Sequence, residues 1–280
     1  LSSIYLATLP LLQTWSETGT LPSENDQRPW PLFVDCSVSA DAELRRTAEE
    51  CFDDLLQRTA RLPVLMMCLQ VIDQQARLGR IPLPPPEPAP SGRINALGSL
   101  LQGCLEEGRT MEMFLGRACN QLAEALNEVG EGEAVQVLES SELHPAWRLS
   151  EALVSLMGNE LQTEHYRKYL DSCLMMDQPN GLGRKRKSTV RGKGAERRSI
   201  VLTNTVLDFL VHRHLRKAKK GTGPASLSLA RFLEILRGRY GFYVDEAPQG
   251  MSIPADLLRR NRIVMERRLR DLGLFVGVND

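Results

Sequence analysis

The sequence is poor in aromatic residues, poor in histidine and without formal net charge. Phe, Trp and Tyr together make up 5% of it, which argues against an aromatic-rich β-sandwich. The only histidines are His144, His165, His212 and His214. His212 and His214 lie two apart on a predicted helix, so they point in different directions and make a poor metal pair. Lysine is nearly absent before Lys185, and no strand-linked pair of acids with a lysine suggests a nuclease. GxxxxGK[ST] and GxSxG are both missing, so no Walker A cradle and no nucleophile of that type is present. The six cysteines (Cys36, Cys51, Cys68, Cys104, Cys119, Cys173) show no CxxC spacing and no evident histidine partner. They read as buried free thiols of a reducing compartment. The expectation is a chain that is not an enzyme, with no metal and no cofactor. Asp245 and Glu246 are adjacent acids near a predicted helix, and read as a solvated turn pair. No apolar run reaches the roughly 18 residues of a membrane span, so no membrane association is expected.

The zero net charge conceals a division. Residues 1–180 hold 13 Lys+Arg against 26 Asp+Glu, whereas residues 181–280 hold 22 against 9. Opposed halves of this kind point to an acidic body and to a basic surface for nucleic acid or an acidic partner.

What is present is mostly helical periodicity. Residues 1–80 form a first helical segment. Within it a helix is predicted from Ala40 to about Arg61, capped by Asp41 or Ser39, with Leu44, Ala48, Cys51, Leu55 and Leu56 inward. A second helix follows Pro63 and stops at Gly79. PSENDQRPWPLF reads as loop. Residues 81–92 are a proline-rich connector of polyproline-II type, with six prolines between Pro82 and Pro90. Residues 93–177 are a second helical segment, with Gly130 and Gly158 as helix stops. Residues 178–199 hold eight Lys or Arg and one acid between Arg184 and Arg198. So polar a run reads as a flexible basic linker. The chain starts at Leu1, inside an apolar pattern, which suggests a piece of a longer polypeptide.

Residues 200–280 carry the clearest pattern. TNTVLDFLVHRHLRKAKK and SLARFLEILRGRYG read as two helices. A third runs from about Pro254 to Leu272, with proline in the first turn where its missing N–H costs nothing. On a wheel of roughly 100° per residue, Leu258, Met265, Leu269 and Leu272 share the core side. Arg259, Arg260, Arg267 and Arg270 fall on the far side, with Arg262 and Arg268 at the borders. LFVGV after Gly273 is short and β-prone. Three helices, a basic third one and a short β wing suggest a winged-helix-like module on a mainly α protein. Arginine suits phosphate or guanine recognition because its planar fork binds in bidentate fashion.

The block from VLTNTVLDFLVHRHL to the C-terminal GLFVGVND resembles the C-terminal region of large bacterial proteins encoded in anti-phage defence islands. That resemblance covers the last third of the chain. It implies a cytoplasmic subunit of a multi-protein defence system that handles DNA, and it supplies no catalytic residues. The resulting expectation is a double-stranded-DNA-binding and assembly subunit. Arg259, Arg260, Arg262, Arg267 and Arg270 would line the groove, while Arg184, Lys185, Arg186, Lys187, Arg197 and Arg198 would touch phosphates. The alternative is a scaffold whose basic module grips an acidic partner protein.

Overall fold

The computed structural model describes residues 2–23, 26–85, 87–89, 91–102, 106–175, 181–188, 195–215 and 226–275. The chain is mainly helical, with one small sheet. It divides into two compact units that interleave in sequence. A sheet unit comprises Leu1–Leu6, Arg28–Gln57 and Lys168–Asp280, and a helical unit comprises Ala7–Gln27 and Arg58–Arg167. Residues 28–57 and 168–199 group with 200–280 in the sheet unit.

The helical unit contains most of α1 (Ser2–Thr18), then α3 (Leu62–Arg77), α4 (Gly92–Leu101), α5 (Glu106–Val129), α6 (Gly132–Glu139), α7 (Pro145–Leu156) and the start of α8 (Asn159–Leu174). Its main core gathers Trp15, Cys68, Ile72, Leu97, Leu100, Met111 and Leu115. A second cluster joins Cys119, Ala123, Ala134, Val135, Leu138 and Ala152 from α5, α6 and α7. Each fully buried Leu or Ile in such a core contributes about 1.5–3 kcal/mol. Trp15 donates from Nε1 to the Ile94 carbonyl at 2.9 Å, so its one polar atom is satisfied inside. Gly98 lies hard against the Gly19 carbonyl and the Trp15 indole, and any Cβ there would collide with both. By length and composition one 18-residue window within Ala42–Arg77 could cross a membrane, which the expectation of no such run overlooked. In α3 the apolar residues Leu62, Leu65, Cys68, Val71 and Ile72 are buried inside the protein.

The sheet unit is built on β1 (Leu32–Asp35), β2 (Gly183–Ser188), β3 (Ala195–Val201) and β4 (Phe242–Tyr243), in the order β2-β3-β1-β4. β1 pairs in parallel with β3 and with β4, while β2 pairs antiparallel with β3. Leu32 and Phe33, the first half of β1, were expected to be loop. All four of its residues are buried, so the strand shows no polar-apolar alternation to betray it, as is usual for central parallel strands. Helix α2 (Ala42–Thr59) places Leu44, Ala48, Cys51, Phe52 and Leu55 in the core. Asp41 caps it, its Oδ1 accepting from the Glu43 and Leu44 N–H groups at 2.9 and 3.2 Å.

After β3 come α9 (Asn204–Leu215), α10 (Leu229–Ile235), a π-helical turn (Leu236–Tyr240), β4 and α11 (Ala255–Asp271). The three helices of the expected module are thus present. The described residues do not complete a winged helix. Residues 274–275 are not strand, and the rest of LFVGV lies outside the described residues. The short strand that does occur, β4, pairs in parallel with β1 from the other end of the chain. Helix α11 is also turned relative to expectation: its buried stripe is Leu257, Asn261, Met265 and Leu269, with Leu257 in place of Leu258.

Asn261 is fully buried and makes three hydrogen bonds. Its Nδ2 donates to the Val34 and Val244 carbonyls, each at 2.9 Å, and its Oδ1 accepts from the Cys36 N–H at 2.9 Å. Asn261→Leu keeps the branched shape and removes a hydrogen-bond partner from three buried backbone groups. It should lower stability of the intact chain by about 2–5 kcal/mol in urea denaturation. Ile263→Ala, on the exposed side of the same helix, should cost about 0.5 kcal/mol or less. Equal stabilities would refute the role given to Asn261.

In the helical unit, His144 caps α7, with Nδ1 accepting from the Ala146 N–H at 3.2 Å. Burial holds its imidazole below the ordinary value. The folded state therefore favours the neutral ring. As pH falls from about 7 through about 6.5, the unfolded chain takes up the proton first and stability drops. Thermal unfolding of the intact chain should show this loss between about pH 7 and pH 5, and His144→Ser, which retains a capping oxygen, should remove that component.

Candidate nucleic-acid interface

The sheet unit contains 26 Lys+Arg and 18 Asp+Glu, a formal +8; the helical unit, with 9 and 17, carries −8. The charge division read from the sequence thus persists in three dimensions, with the acidic stretch 28–57 moved to the basic side.

The described parts of the expected flexible linker, 183–188 and 195–199, are an antiparallel ladder. Its register sets like charges opposite one another: Lys185 faces Arg198, and Arg186 faces Arg197. Such pairs are unfavourable unless acids intervene, and acids from two helices do. From α2, Glu49 takes a bidentate contact from Arg186 (3.1 and 3.4 Å), and Asp53 pairs with Arg197. From α8, Asp171 accepts from Arg198 Nε at 2.5 Å and Nη2 at 2.7 Å, and from Lys185 at 3.1 Å. Glu196 on β3 completes the cluster, 2.8 Å from Lys185. Composition within 178–199 could not show Glu49, Asp53 and Asp171, which lie some 14 to 144 residues away in sequence from their partners.

The side chain of Arg198 is only 6% exposed. Burial alone would raise the Asp171 carboxyl, but Arg198 and Lys185 outweigh it and hold the group below the usual carboxylate range. Its stabilising effect is present above about pH 4 and is lost as pH falls through the depressed folded value.

On α11, Arg260 pairs with Asp41 (3.3 Å) and Glu43. Arg262 reaches Glu266 at 2.9 Å and Asp245 at 3.5 Å, and Arg270 lies 3.9 Å from Glu266 and over the Phe275 ring. Asp245 and Glu246 are not simply solvated: both meet Arg237, at 3.0 and 2.7 Å. Seven of the eleven expected contact residues are therefore engaged by carboxylates of their own unit: Lys185, Arg186, Arg197, Arg198, Arg260, Arg262 and Arg270. Arg184, Lys187, Arg259 and Arg267 have no ion-pair partner among the described residues. Arg259 and Arg267 are exposed on either side of exposed Ile263, one helical ridge with about 12 Å between the two arginines along the axis.

The carboxyl ends of the parallel strands are occupied by protein. Asp35 is buried, and its carboxylate accepts from the Ser37 N–H (2.7 Å), the Ser37 hydroxyl (2.6 Å) and the Ser39 N–H (2.7 Å). Desolvation nonetheless raises the Asp35 carboxyl above its ordinary value. Beside it, Arg268 donates to the Cys36 carbonyl at 2.8 Å, to the Leu202 carbonyl, and to Asn204 Oδ1 at 3.1 Å from Nε. Burial pushes the guanidinium value down. The arginine stands where a cation would complement those carbonyls. Among the described residues no group of three or more His, Cys, Asp and Glu side chains is arranged to hold a metal ion. The thiols are free and mostly buried, and burial pushes Cys51 up to about 11 and Cys68 up to about 12, so neither is a ready nucleophile. Cys104 lies outside the described residues.

A small sheet with parallel strands, bracketed by paired arginines and joined in one chain to a helical unit of opposite charge, defines a charged, mainly helical class of protein. The family of methylation-associated defense system protein MAD7 matches residues 4–280, and the chain belongs to that family. The match spans nearly the whole chain, not the last third alone, and gives the protein a role in an anti-phage defence system. No curated protein and no solved structure matches it.

The ion-pair cluster can be tested by Asp171→Asn. Removing this carboxylate leaves Arg198 nearly enclosed with Glu196 as its remaining acid. Stability in urea should fall by about 2–3 kcal/mol, less than the 3–5 of a fully enclosed pair. An unchanged midpoint would mean the strands of 183–201 are held by something else.

Proposed function

We propose that this chain is a non-catalytic DNA-contacting and assembly subunit of its defence system, acting in the cytoplasm. The observation that supports it is the +8 of the sheet unit together with four basic side chains that no described carboxylate neutralises: Arg184, Lys187, Arg259 and Arg267. In this reading the Arg259–Ile263–Arg267 ridge and the edge strand β2 meet duplex phosphates. The paired arginines are framework: they hold β2, β3 and α11 in place and contribute little free charge. Binding then depends on phosphates more than on base edges, so it has a strong salt dependence and limited sequence preference. The helical unit, with −8, is the part that would dock to other subunits.

A second reading is favoured by the same ion pairs. Guanidinium–carboxylate pairing is the recurrent chemistry of this unit, so the open arginines would also suit an acidic protein surface. The two readings separate in a salt titration of duplex DNA binding, measured by anisotropy with the intact chain. The variant Arg184→Ala, Lys187→Ala, Arg259→Ala, Arg267→Ala should lower affinity and reduce the log–log salt slope by up to about 3.6, near 0.9 for each phosphate no longer neutralised. Arg260→Ala, whose guanidinium is already paired, should change the slope by less than about 1. Absence of binding at low salt, or equal slopes for both variants, would reject the DNA reading and leave the acidic-partner one.

A further inference from the structure

In the helical unit a groove of about 390 Å³ lies between α3 and α4, with Met66, Leu69, Ile94 and Leu97 as its apolar walls and Asp73, Arg77 and Arg93 at its far end. We propose that this groove receives an amphipathic helix of another subunit, which sets apolar side chains against Met66 and Leu69 and a carboxylate beside Arg77 and Arg93.

The sequence of α3 already calls for a second neighbour. From Leu62 to Ile72 every residue but Gln70 is apolar, so the helix lacks the polar face that a surface helix keeps toward water. One side is filled, since Leu62, Leu65, Cys68, Val71 and Ile72 are buried. The groove side is not: Met66 is 42% exposed and Leu69 half-buried. Helix α4 is in no position to close the gap. Gly98 is packed against the Gly19 carbonyl, and the Ile94 carbonyl is held by Trp15 Nε1 at 2.9 Å, so α4 is tied to α1 and the turn that follows it.

Shape and charge specify the occupant. From Met66 to Arg77 the groove follows α3 for about three turns, or about 16 Å, the contact length of a helix that presents anchors at i, i+4 and i+7. An exposed methionine suits such a surface, because its flexible thioether adapts to the incoming side chain. At the far end one carboxylate serves two guanidinium groups: Asp73 pairs with Arg93 at 2.6 Å and with Arg77 at 2.7 Å. Two cations against one anion leave a local surplus of one positive charge, and the Arg77 side chain is 70% exposed. The unit as a whole carries −8, so a uniformly acidic helix would be repelled by its surroundings. A helix with apolar anchors and one carboxylate at this end matches both the walls and the surplus.

The test is fluorescence anisotropy of labelled model helices titrated with the intact chain. One peptide of alanine, glutamine and leucine carries leucines at i, i+4 and i+7 and a single glutamate one turn beyond. Two controls replace the glutamate by lysine or the leucines by serine. The glutamate peptide should bind at least tenfold more tightly than either control. Met66→Asp should lose that binding at unchanged melting temperature, because Met66 lies outside the core clusters of the unit. Arg77→Glu, which turns the local surplus from +1 to −1, should reverse the preference toward the lysine peptide. No binding, equal binding of the three peptides, or binding that both variants leave intact would overturn the proposal. Dimerisation of the intact chain that Met66→Asp abolishes, measured by sedimentation, would also overturn it by making a second copy the occupant. The proposal rests on the docking role given to the helical unit, and size-exclusion chromatography with the other proteins of the defence system separates the two. A complex formed by the intact chain and lost in Met66→Asp supports both. A complex that both chains form refutes the groove alone, and absence of any complex refutes the docking role and the groove with it.

Discussion

Asn261 ties α11 to two pieces of chain that have no local reason to meet, the β1 segment and the residue after β4. Its amide binds the backbone just after β1, at Cys36, the backbone within β1, at Val34, and the backbone just after β4, at Val244. One turn further along α11, Met265 and Leu269 enter the core, and Arg268 closes the carboxyl ends of β1 and β3. A buried amide with every group satisfied fixes register as well as energy, because any slip would orphan several groups at once. The clamp holds α11 against β1 and the end of β4, and so places the arginines of α11 relative to them.

Because β1 and α2 come from the N-terminal third, the basic region is not self-sufficient. Two sets of acids complete it, Asp41, Glu43, Glu49 and Asp53 from around and within α2, and Asp171 from α8. These carboxylates divide the basic residues into two groups with different work. Paired ones order a hairpin whose composition would otherwise leave it unfolded. Arg184, Lys187, Arg259, Arg267 and Arg239 have no ion-pair partner among the described residues. Membership of the MAD7 family of defence-system proteins supplies the biological setting, and the unpaired set supports the proposal that phosphate is what the unit meets there.

Periodicity made much of this legible. The helix of 42–59, its Asp41 cap, the stops at Gly79, Gly130 and Gly158, and the long C-terminal helix all follow from local pattern. What pattern could not reveal was non-local. LFVD is four residues long and buried throughout, so it has neither the length nor the alternation that marks a strand. β2 and β3 are ordered by acids distant in sequence, and Asn261 looked like one polar residue among arginines. A buried polar residue in register with Leu257, Met265 and Leu269 was the available signal, and it was masked because Leu258 fitted the wheel almost as well. The sequence grouped these basic residues together, but it could not sort the arginines that are ion-paired from those that are not.

The most direct test of this account is the folding of residues 181–280 by themselves. A separate terminal module would fold and melt cooperatively. If β1, α2 and the end of α8 complete the unit, the isolated segment should give an unfolded far-UV circular dichroism spectrum with no cooperative melt, and should gain structure when residues 28–57 and 168–180 are joined to it. A cooperative, native-like melt of 181–280 alone would contradict the interleaved unit and restore an autonomous C-terminal module.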